Sequence, residues 1–152
     1  MSAMGAKGGP ARGFLSEADE LRVLEAIRSA ESETSGEIRV HIERRCGGKP
    51  MEAAKRWFQR LGMRGTRDRN GVLFYLAVDE RVFAVLGDVG IHEKVGEDFW
   101  AALRDELAGS FVAGDHAAGL IRAIAETGRR LALHFPRRPD DRNELPDEVS
   151  SS

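Results

Sequence analysis

Apolar residues recur at steps of three along Ala18, Leu21, Leu24, Ile27 and Ala30, a spacing that marks one face of an amphipathic helix. Ser16 precedes the stripe as a side-chain cap, with Glu17 and Asp19 at the positive end of the helix dipole. The helix is expected to end near Glu33, ahead of Thr34-Ser35-Gly36. Glu37 to Glu43 then alternates: Ile38, Val40 and Ile42 point one way, and Glu37, Arg39, His41 and Glu43 the other. This is a strand with one face poorly suited to a dry core. After Gly47-Gly48-Lys49-Pro50, Ala54, Trp57, Phe58 and Leu61 form the face of a second helix, closed by Gly62 and Gly65.

Val72 to Val78 is a continuous apolar run between Asn70-Gly71 and Asp79-Glu80, the pattern of a central strand buried on both faces. Asp79-Glu80-Arg81 is short enough for a hairpin, so Val82 to Leu86 returns antiparallel. Phe99, Trp100, Leu103 and Leu107 mark a third helix. Phe111 to Asp115 interrupts, and Leu120, Ile121, Ile124, Gly128, Leu131 and Leu133 mark a last helix stopped by Pro136. The fold class is α/β, with a small mixed sheet.

These directions constrain the loops. The first two strands are joined through a helix, which makes them parallel with a right-handed crossover; the third runs against the second. One end of the sheet therefore collects Thr34–Glu37, Thr66–Gly71 and Gly87–Glu93, and with them Glu37, Asp68, Asn70, Asp88 and Glu93. Oxygen-rich loops suit a hard cation, calcium before magnesium, because Ca²⁺ accepts irregular cages. Asp68-Arg69-Asn70-Gly71 resembles part of a calcium loop, but Thr66 and Ala77 stand where an EF-hand needs acids. The competing reading is that Asn70-Gly71 and Gly87-Asp88 are turn formers with solvated carboxylates. His92 lies in the cluster as a weak general-acid candidate, whereas His41 reads as a surface residue and His116 and His134 as structural. Cys46, in a glycine loop, has no histidine placed to activate it.

Composition narrows the classes. The 152 residues fit one domain. We delimit a flexible leader at 1–13, the domain at 14–136 and a mobile tail at 137–152 in which Leu145 and Val149 can dock weakly. A net charge of −2 with both signs interspersed argues against nucleic acid as a partner. A single cysteine excludes an internal disulfide. No apolar run approaches the roughly 20 residues of a membrane span, and no signal peptide stands at the N-terminus, so a cytoplasmic chain without membrane insertion is expected.

Thr34-Ser35-Gly36-Glu37-Ile38, Arg69-Asn70-Gly71-Val72-Leu73, Gly87-Asp88-Val89-Gly90-Ile91, Phe99-Trp100 and Asn143-Glu144-Leu145-Pro146 together resemble the TPM domain, a family named for a thylakoid-lumen protein, a photosystem repair protein and a nematode receptor modulator. The likeness runs from about Phe14 to Val149 and is greatest to the stand-alone bacterial branch. It implies a three-layer α/β/α sandwich, divalent-cation binding in loops at one sheet end, and the phosphatase activity of plant members. Three functions follow as expectations: a divalent-cation-binding domain with a structural or regulatory role, a metal-dependent phosphatase with Asp68, Asp88 and Glu93 on the cation, or a non-enzymatic module binding a protein partner.

Overall fold

In the computed structural model, which describes residues 14–139 and 149–151, the first stripe forms α1, Glu17–Glu31. Ser16 caps it by accepting from the Asp19 backbone N–H at 3.0 Å. The buried line runs through Val23, Ile27 and Glu31, while Leu21 is exposed. A strict step of three slips by roughly 60° per step against 3.6 residues per turn, so the apolar count from Ala18 drifts off the true inner face.

The alternating segment is β1, Glu37–Glu43, and the apolar run is β2, Gly71–Ala77. They are parallel, with Glu37 opposite Gly71 and Glu43 opposite Ala77. The hairpin returns as β3, Val82–Gly87, antiparallel to β2. Between β1 and β2 lie α2, Pro50–Arg60, and a short 3₁₀ turn, Met63–Gly65. α3, Val89–Val112, is broken into two helical segments at Gly96, whose φ of 76° and ψ of 172° are open to glycine at little cost. α4 spans His116–His134. A fourth strand, β4, Val149–Ser151, pairs parallel to β1 with Val40 opposite Val149. The sheet order is β3-β2-β1-β4. The leader, Leu145 and the Asn143–Pro146 motif lie outside the described residues.

The sheet has two unlike faces. Ile38, Val40 and Ile42 of β1, Val72, Phe74 and Leu76 of β2 and Val85 of β3 share one core with Val23 and Ile27 of α1, Trp100 and Leu103 of α3 and Leu120 and Leu131 of α4. Leu73, Tyr75, Ala77 and Ala84 meet Ala53, Ala54 and Phe58 of α2 and Met63 on the other. Helices on both faces make a three-layer α/β/α sandwich, and the double burial of β2 explains its unbroken apolar run. No helix among the described residues is long and apolar enough to cross a membrane.

The polar face of β1 is not a wet one. Glu37, Arg39 and His41 are all buried, which corrects the reading of His41 as a surface residue. Its ring stacks on Trp57 with centroids 3.9 Å apart, and its Nδ1 lies 2.8 Å from the Ser150 hydroxyl of β4. Trp57 and the added strand bury a row that alternation alone assigns to solvent. Glu43 accepts from the Tyr75 hydroxyl and from Trp57 Nε1.

Candidate functional site

The three loops of the sheet end meet as chain direction requires, and contacts across them fix each one. Thr34 Oγ1 donates to the Phe135 carbonyl and accepts from the Gly36 N–H, so the first loop is held against the end of α4. In the second loop, Thr66 Oγ1 accepts from the Asn70 N–H at 3.2 Å. Arg69 sits at φ 52°, a left-handed conformation unusual outside glycine. The third segment differs from its reading as a loop. β3 runs to Gly87, Asp88 caps α3, and Val89 is already helical. His92 and Glu93 therefore lie on the first turns of a helix and are exposed. Gly90 is there for close approach: its N–H donates to the Arg69 carbonyl at 2.8 Å.

The five predicted oxygen donors are positioned unequally. Asp88 is buried, accepts from the Val89 N–H at 2.8 Å, and takes a two-pronged ion pair from Arg69 at 2.6 and 2.8 Å. That pair raises the guanidinium pKa further above its usual value, through the hydrogen bond and then the charge of Asp88. Asn70 is buried, and its Nδ2 donates to Ser35 Oγ at 3.3 Å. Its Oδ1 is buried with no hydrogen-bond partner among the described residues. Asp68 instead accepts from Arg138 at 2.9 Å. Glu37 belongs to the buried polar row of β1, on the α2 side of the sheet. Among the described residues, no three or more His, Cys, Asp or Glu side chains stand together as a ready metal cage.

Sequence reasoning named the acids here and missed their counter-charge. Arg69 stands between two polar acceptors, Asp68 and Asn70, and that position was the available signal. His92 Nδ1 accepts from Trp100 Nε1 at 3.0 Å. Cys46 is a poor nucleophile: burial and then Glu80, which accepts from both its N–H and its thiol, push the thiol pKa up. The same backbone donation from Cys46 holds Glu80 down to about 2.

Asp88 joins a helix cap to an ion pair, so its variants separate the two. Asp88→Ala should cost about 2 kcal/mol, the sum of a lost cap and a half-buried pair. Asp88→Asn keeps the cap and should lose roughly half as much. Chemical denaturation measures both; equal losses would mean that the cap contributes nothing.

A mixed sheet between one helix on one face and three on the other, with a glycine-dependent loop junction at one end, defines a small α/β/α domain. The chain belongs to the TPM domain family, whose profile matches residues 11–130. Among solved structures it is similar to the BA42 protein of the psychrophilic bacterium Bizionia argentinensis, with 40% identity over 91% of this chain and 96% of that one and a TM-score of 0.85. N-terminal domains from Corynebacterium glutamicum (protein cg2496) and from P. gingivalis share the fold at 16% and 20% identity, with TM-scores of 0.62 and 0.66; each pairing covers 86% and 84% of both chains, respectively. No curated protein matches the chain.

Proposed function

We propose that this TPM domain binds a divalent cation, calcium before magnesium, at the junction of Asn70, Asp68 and Asp88. The observation that carries the reading is the buried, unpartnered Oδ1 of Asn70, since a buried amide oxygen left without a donor is costly unless something else satisfies it. The donor types fit: carboxylate and amide oxygens, with backbone carbonyls of the 66–70 loop close by, are the ligands of a hard cation. Asp88 and Asn70 would hold the ion, with Asp68 joining from the same loop; Glu93 and Glu37 complete the predicted set. Arg69 is then the resident counter-ion of Asp88 and competes with the metal for it. The cation would add a multivalent tie between the second loop and the start of α3, which suits a structural or regulatory role.

Thermal melts in chelator and in calcium test this. A ligand at a hundred times its dissociation constant stabilises by about 2.7 kcal/mol, which is roughly 5–10 °C for a chain of this size. Arg69→Gln, which removes the competitor, should bind calcium more tightly, and Asp88→Asn more weakly. A melting temperature that is indifferent to millimolar calcium and magnesium in all three chains sinks the proposal.

A further inference from the structure

A cavity opens at the end of the sheet opposite the cation junction, where β2 leaves at Ala77 and β3 returns at Val82. Its volume is about 610 Å³, within the range of small-molecule sites. Phe14, Val78, Val82, Phe83, Phe111 and Val112 supply an apolar wall. The aromatic rings are ordered against one another: Phe83 meets Phe111 edge-on at 5.4 Å, and Phe14 lies 4.5 Å from the His116 ring. Val112 stays exposed beside them, so the wall continues to the mouth.

The polar side chains of this lining are one-sided. Arg81 and His116 contribute to it, and among the described residues no carboxylate does. Arg81 is exposed and occupies a left-handed position at φ 57°, a conformation that glycine adopts at least cost. A large cationic side chain at a left-handed turn position points to a role for its charge. His116 opens α4, whose preceding Asp115 makes no side-chain cap, so the first-turn N–H groups add donor character near the same wall.

We infer that this cavity binds a single-chain amphiphile with a carboxylate head, its tail along Phe83 and Phe111 and its head against Arg81. An apolar body whose one charged lining side chain, among the described residues, is the cationic Arg81 complements an anionic head and disfavours a cationic one. The site is separate from the cation junction, and neither reading depends on the other.

Titrating decanoate into the full chain, below its aggregation concentration, tests the inference by calorimetry and by amide chemical shifts. Decanol and decyltrimethylammonium serve as head-group controls. Decanoate should bind saturably, with shifts confined to the 78–83 hairpin, the end of α3 and the start of α4. Arg81→Gln should weaken decanoate roughly tenfold, as expected for loss of one charge-assisted contact, and leave decanol unchanged; Arg81→Lys should restore most of the affinity. Decanol or the ammonium binding as tightly as decanoate, an unaffected Arg81→Gln, or shifts scattered over the surface would each overturn it.

Discussion

Gly90→Ala should destabilise the domain by at least about 3 kcal/mol, the upper end of overpacking costs, and lower the melting temperature by roughly 6–12 °C. A Cβ at Gly90 would stand 2.1 Å from the Asp68 carbonyl oxygen and 2.7 Å from that of Arg69. Both obstacles are backbone, so no rotamer change relieves them. α3 and the 66–70 loop must separate, which breaks the Gly90 N–H to Arg69 bond and pulls Arg69 from Asp88. Gly109 on the same helix is the control, because a Cβ there meets nothing within 4 Å. Gly109→Ala should hold or raise stability by up to about 1 kcal/mol, the helix-propensity gain. Equal melting temperatures for the two variants would show that the junction is loose.

Acid should weaken the fold through His41 well before the carboxylates titrate. Burial, and secondarily the charge of Arg39, lowers its pKa from 6.5 to about 4. In the unfolded chain the imidazole takes a proton near pH 6.5; in the folded chain it does so only near 4. Between these values the unfolded state binds more protons, so stability falls as pH falls and the loss saturates below about 4. The depression corresponds to roughly 3 kcal/mol. Glu80, also depressed, adds its own slope at lower pH, from 4.5 down to about 2. Urea denaturation from pH 7.5 to 4 measures the His41 window, and His41→Gln should flatten it. A wild-type profile already flat between pH 6.5 and 4.5 would rule out a neutral buried imidazole.

The layers were legible because their signals are long. β2 is an uninterrupted apolar run, β1 alternates, and α4 carries a buried line from Ala117 to Leu131. Chain direction then brought the correct loops to one end. What the pattern misjudged has physical reasons. Gly87-Asp88-Val89-Gly90 does end β3, but it also opens α3 at Val89; Gly90 makes room for the Asp68 carbonyl inside the helix, where a glycine reads as loop. Arg39 and His41 read as solvated because burial of ionisable groups needs partners, and Trp57 and Ser150, which meet the His41 ring, are far away in sequence. β4, at three residues, is too short for any periodicity to register. At the candidate site the acids were visible one by one, but the Arg69–Asp88 pair was not, since pairing depends on how two loops face each other.

β4 also sets an order of events. The His41–Ser150 contact joins residues 109 apart in the chain, so a growing polypeptide can assemble α1 to α4 while β1 still lacks its outer neighbour. Until Val149–Ser151 emerge from the ribosome, β1 is an unprotected border strand, the kind of surface on which chains mispair with one another. A nascent chain held just short of those residues should therefore be at its most prone to cling to its own copies.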